Sequence, residues 1–90
     1  MYRYKKSIGG EPKRQAYIYF ASQLYRTWPE WKRETIRELC RKAGGEYWEA
    51  LLEYVTTETP LEVVCDKHYI SKSTLHRITR TYYRIFPKNF

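Results

Sequence analysis

Residues 63–84 read VVCDKHYISKSTLHRITRTYYR, and the fold turns on how that stretch bends. Val64 and Cys65 sit one helical turn from Leu61, while Leu75 and Ile78 share a face further on. Both spacings are helical, but the period breaks between Cys65 and Leu75, with Ile70 alone in the gap. One helix therefore ends near His68, and His68-Tyr69-Ile70 makes a corner. Ser71, a residue type suited to accepting from the free amides of a helix start, caps a last helix that runs through about Ile85. Pro87 stops it. Ile70, Leu75 and Ile78 face inward with Val64, and Cys65 supplies a small side chain where the two helices cross. Ser71, Lys72, Ser73, His76, Arg77 and Arg80 face outward near the start of the last helix.

Working outward, "TPLE" at 59–62 carries three start signals: Thr59 as N-cap, Pro60 at the first helical position and Glu62 in the place of a capping box. Before it, a helix from Glu46 to about Thr56 has Tyr47, Trp48, Leu51, Leu52 and Val55 as its apolar set and an acidic outer face of Glu46, Glu49 and Glu53. Pro29 or Glu30 opens an earlier helix that closes at Gly44-Gly45, with Trp31, Thr35 or Ile36, Leu39, Cys40 and Ala43 inward. Lys13 to Trp28 reads as a helix with a broad apolar face of Tyr17, Phe20, Ala21, Leu24, Tyr25 and Trp28. Residues 1–12 have no period and read as a basic, partly disordered arm. The expectation is an all-α chain of about five helices. A single helical domain over 13–90 follows the arm, with the two-helix corner at about 60–86.

Ninety residues bury only about 60–65% of the unfolded surface, so the core must be economical. Aromatic residues make up 18% of the chain, ten of them Tyr, and such rings bury large areas while keeping a polar tip near water. No apolar run approaches the roughly 20 residues a membrane span needs, and no apolar export segment follows the basic N-terminus, which predicts a cytoplasmic protein. Cys40 and Cys65 lack the CxxC and Cys/His spacing of a zinc site and read as buried thiols. No metal or cofactor is expected.

The net charge of +7 is unevenly spread. Residues 43–68 hold Lys67 against six acids, whereas 69–90 hold Lys72, Arg77, Arg80, Arg84 and Lys88 with no acid at all. A polyanion is the partner such an end suits. Ser71 and Ser73 can bond phosphate or base edges, Lys72 and Arg77 can donate to guanine, and His76 can donate or accept. Arg80, Arg84 and Lys88 lie where phosphates would be met.

VVCDKHYISKSTLHRI resembles the helix-turn-helix of bacterial and phage regulators, in which a small residue is followed by a corner, then Ser-x-Ser-Thr, an aliphatic residue, x and Arg. The form it is most similar to is the promoter-reading C-terminal region of sigma factors and the small sigma-like phage regulators of the ArpU and RinA type. The likeness covers about residues 46–86. It implies double-stranded DNA binding through Ser71, Lys72, Ser73, Thr74, His76, Arg77 and Arg80. Two positions depart from the pattern. His68 stands where an aliphatic residue is usual, and Tyr69 stands where Gly is usual, which predicts a longer or differently shaped corner.

No catalytic constellation is legible. Gly9-Gly10 and Gly44-Gly45 lack the pattern of a phosphate loop, and Cys65 beside His68 has no third group to orient a base. The leading expectation is a sequence-specific DNA-binding regulator of a phage or mobile element. A packaging or recombination accessory protein, akin to a terminase small subunit, uses the same reading helix. A third reading, from another class, is a helical interaction module whose aromatic half (Tyr2, Tyr4, Tyr19 and Trp31) meets an RNA polymerase subunit or a second copy. A homodimer fits the first reading too, since one reading helix is usually paired with another.

Overall fold

The computed structural model describes residues 2–90, which are all-α; no strand occurs among the described residues. In chain order the elements are α1 (Pro12–Gln23), a 3-10 turn (Tyr25–Thr27), α2 (Glu30–Gly44), a second 3-10 turn (Gly45–Tyr47), α3 (Trp48–Thr56), α4 (Leu61–His68) and α5 (Lys72–Ile85). None of these helices is long and apolar enough to cross a membrane. α2 packs along α3 and α5, α4 closes against both of those, and α1 lies on α3. The shared core includes Ile18, Ile36, Cys40, Leu51, Val64, Leu75, Ile78 and Tyr82.

α2 forms because Pro29 presets the chain at its start, and its exposed face alternates Glu30, Glu34 and Glu38 with Arg33, Arg37 and Arg41 one turn apart. Arg37 also reaches Glu30 and the Tyr25 hydroxyl. Pairing with Glu34, the Tyr25 hydroxyl and Glu30 holds the Arg37 guanidinium above its ordinary value. Three arginines of the first half are thus paired on the surface of α2 itself. At the end of α2 the backbone comes close to its neighbours: a Cβ at Gly44 would stand 3.4 Å from Leu51 Cδ2 and 3.5 Å from Ile78 Cδ1. Gly45 follows with φ 56°, in the left-handed region that lets the chain reverse into α3.

Four expectations are corrected. The first helix stops at Gln23 rather than Trp28, and its register differs. Its buried residues are Gln15, Ile18, Ala21 and Ser22, whereas Tyr17, Leu24 and Phe20 are exposed, Phe20 by 54%. The inner stripe holds two polar residues, each with its own partners. Ser22 Oγ donates to Ile18 O and stands 2.7 Å from Tyr82 Oη, so the buried tyrosine donates to the serine. Trp28 still packs inward, from beyond the turn, with Nε1 donating to Ala21 O at 2.7 Å. Trp31 is 67% exposed rather than inward, because α2 begins at Glu30 and turns Ile36, Leu39 and Cys40 to the core.

The third correction concerns α3, which starts at Trp48 after the 3-10 turn rather than at Glu46. The fourth is at α4. Pro60, not Thr59, is its N-cap, with Pro60 O accepting from Val63 N and Val64 N at 3.1 Å. Thr59 Oγ1 instead pairs with Thr57 Oγ1 at 2.8 Å, and Glu62 lies 3.7 Å from Lys72 Nζ on the surface. No capping box forms. Glu62→Ala is therefore expected to change stability by no more than about 0.5 kcal/mol. A thermal melt checks this, and a fall of several degrees would restore the capping role.

The arm does not hang free. Tyr2 Oη and Lys5 N donate to Gln15 Oε1 at 3.0 and 2.7 Å, and Gln15 Nε2 donates to Lys5 O and Gly9 O at 3.1 and 3.0 Å. Gln15 is only 3% exposed and satisfies the arm backbone as a strand neighbour would. Tyr2 rests on Tyr19 and Phe20, with ring centroids 5.2 and 5.9 Å apart.

Candidate nucleic-acid interface

α4 and α5 meet at a corner that the sequence specifies residue by residue. Tyr69 closes α4 in the left-handed conformation, φ 55° and ψ 47°, and the residue is 93% exposed. A β-carbon in that region costs about 1–2 kcal/mol, so the tyrosine fills a glycine-like backbone position without lengthening the turn. Ile70 then drops into the core, its N–H bonded to Cys65 O at 3.1 Å. Ser71 Oγ accepts from Thr74 N at 3.2 Å and caps α5. Leu75, Ile78, Thr79 and Tyr82 form the buried stripe of α5, and Thr79 Oγ1 is satisfied by Leu75 O.

α3 holds the corner in place through charge as well as packing. His68 Nε2 lies 2.8 Å from Glu53 Oε1, and Lys67 Nζ lies 3.2 Å from the same oxygen. The hydrogen bond to His68, with help from Lys67, holds the Glu53 carboxyl below the usual range. Part of the acidic face of α3 is thereby spent inside the fold. His68 is half-buried here.

The outward face of α5 carries the residues the sequence singled out, with a division among them. Ser71 and Thr74 face each other across the cap, hydroxyl to hydroxyl at 2.8 Å, so their polar atoms serve the helix start. Ser73, Arg77, Arg80 and Arg84 are exposed and follow one another at four-, three- and four-residue steps, which makes one stripe along the helix. Lys72 and the half-buried His76 run beside it at four-residue spacing toward Arg80. Arg77 has no ion pair among the described residues. Arg80 Nε donates to Ser7 O of the arm at 2.9 Å.

Sequence reasoning missed the arm's part in this surface, together with Arg14 of α1. Arg14 donates to Phe86 O at the end of α5. The usable signal was Gln15, a polar residue three positions before the apolar Ile18 on the inner face of α1.

Cys40 and Cys65 are free and buried, and burial pushes the Cys40 thiol up to about 12 and raises Cys65 as well. Neither is disposed to act as a nucleophile. Among the described residues no group of three His, Cys, Asp or Glu side chains is placed to hold a metal ion. No protein-family model matches the chain, and no curated protein or solved structure matches it either.

Proposed function

We propose that α4, its corner and α5 form a helix-turn-helix that reads duplex DNA, in a sequence-specific regulator of the phage or mobile-element kind working as a homodimer. The observation that carries this reading is the pairing of a buried corner with an acid-free basic stripe on the same helix. Val64, Cys65, Ile70, Leu75 and Ile78 fix α5 against its neighbours, and Ser73, Arg77, Arg80 and Arg84 are thereby presented as one outward row. A helix laid in the major groove uses its N-terminal residues on base edges, and Lys72, Ser73, His76 and Arg77 occupy that end. Arg80 and Arg84 lie where the groove wall and its phosphates come. The reading assigns no catalytic step. A packaging or recombination role would employ the same surface, and the site retained by the protein is what separates the two.

The test is selection from random duplexes across a salt series. A recovered motif, with log affinity falling by about 0.9 per log salt for each phosphate contacted, supports a reading head, and a palindrome supports the dimer. Arg77→Ala is then expected to cost about 1–3 kcal/mol on the recovered site and to relax preference at one base. Equal losses on recovered and random duplexes would reduce Arg77 to a phosphate contact, and weak, sequence-blind retention by the wild type would overturn the reading.

A further inference from the structure

A cavity of about 370 Å³ opens between the arm, α1 and the second half of α5, lined by Gly9, Gly10, Arg14, Gln15, Arg80, Arg84 and their apolar neighbours. Three arginines from two helices line it, and none of them has an ion pair among the described residues. No carboxylate lines it. Arg14 spends a donor on Phe86 O and Arg80 spends Nε on Ser7 O, whereas Arg84 makes no hydrogen bond within the described chain. A guanidinium has five N–H donors, so most of the donor capacity of the three is uncommitted. The lining also includes the Gly9-Gly10 turn, whose φ values of +80° and +83° suit residues without a side chain. The cavity is thus lined both by glycine backbone and by positively charged side chains. Such an arrangement of like charges is relieved by an anion, and phosphate is one that guanidinium groups bind bidentately.

We propose that this cleft is a phosphate site, and that its occupant is a backbone phosphate of the DNA lying against α5, a statement that rests on the reading of α5 given above. The spacing supports that source. From Arg77 to Arg84 the helix advances by about 10 Å at roughly 1.5 Å per residue, more than half the width of a major groove about 12 Å across. When Arg77 meets base edges, Arg84 and the cleft stand at the groove wall. The arm and α1 then belong to the interface, and Arg14 is a contact that α5 alone does not supply.

Arg14→Gln and Arg84→Gln test the site in the full-length protein, each with its melting temperature measured so that folding losses are separated from binding. Arg84 is exposed, so its variant is expected to keep the fold even if Arg14→Gln does not. Each is expected to lower the salt slope by about 0.9 and to weaken recovered and random duplexes by the same factor, unlike Arg77→Ala. Because Arg84 belongs to the α5 reading as well, Arg14→Gln is decisive: wild-type binding with an unchanged slope in a folded Arg14→Gln overturns the cleft and leaves the reading by α5 standing. If the wild type binds no duplex, that reading fails, and the arginine Nε–Hε resonances titrated with inorganic phosphate decide the cleft. Shifts at Arg14, Arg80 and Arg84 would assign it to free phosphate instead of DNA, and none would overturn it.

Discussion

Leu75→Ala is expected to lower the folding stability by about 2–5 kcal/mol, the range for removing a buried leucine side chain. Leu75 is fully buried in the first turn of α5 after its Ser71 cap, on the same stripe as Ile78, Thr79 and Tyr82. The lost methyl groups forfeit transfer free energy, and the space they leave closes only as far as its neighbours can move. A 90-residue domain has about 5–10 kcal/mol in all, so the variant is expected to lose a large part of its margin. At roughly 4–8 °C per kcal/mol, the melting temperature falls by at least about 8 °C. Arg77→Ala, two residues on and exposed, is expected to melt within a few degrees of wild type, because nothing in the described chain pairs with it. The two variants separate the inner and outer faces of α5 by measurement. A Leu75→Ala protein that melts like wild type would mean that the corner is not packed as described.

The α5 boundaries were legible because several local signals agree there. Ser71 is a capping residue, Leu75, Ile78 and Tyr82 recur on one face, and Pro87 stops the helix. α2 was legible for the same reason, between Pro29 and Gly45. α1 was not. Its exposed face carries Tyr17 and Phe20, with Leu24 exposed just past its end, while its buried face holds Gln15 and Ser22, so hydrophobicity pointed to the wrong side. Those polar residues are tolerated inside because each finds partners distant in the chain, Ser22 in Tyr82 and Gln15 in the arm. Such pairs have no local signature. The capping box at 59–62 failed for a related reason: Thr59 had a second suitor in Thr57, and motif spacing does not say which one wins.

The candidate interface divides along the same line. Arg77, Arg80 and Arg84 lie on one helix at helical steps, and their shared face follows from spacing alone. That Ser71 and Thr74 turn toward each other also follows from a cap, although the outward reading of Ser71 set it beside the basic residues. Arg14 and the Gly9-Gly10 turn come from far upstream, and only the folded chain brings them to the end of α5. Tyr69 illustrates the opposite case. The sequence marked it as a misfit for a tight corner, and the backbone absorbs the misfit by taking a left-handed tyrosine rather than a longer turn.

Gln15→Ala is expected to release the arm at a cost of about 2–3 kcal/mol. The side chain makes four hydrogen bonds to Tyr2, Lys5 and Gly9, each worth about 1 kcal/mol net. The sum is an upper limit, because an arm that swings away regains water on its amides and carbonyls, and the loss cannot exceed the free energy of docking it. The orientation of the amide is fixed by its partners: Lys5 N requires an oxygen and Lys5 O requires an N–H. Gln15→Glu therefore keeps the acceptor for Lys5 N but sets a second oxygen against two carbonyls, and it is expected to release the arm as well. Hydrogen exchange reads the outcome at Ile8 and Gly9, whose amides bond to Lys5 O only while the turn holds. Protection there is expected to vanish in both variants while the amides of α5 stay protected. Exchange unchanged from wild type would show that the aromatic contacts of Tyr2 with Tyr19 and Phe20 hold the arm without Gln15. Because Arg80 spends Nε on Ser7 O, releasing the arm also frees that donor and removes the glycine wall of the cleft. On the proposed reading of duplex DNA by α5, the base preference assigned to Arg77 is expected to survive in Gln15→Ala while the salt slope falls, which would tie the fold of the arm to that binding.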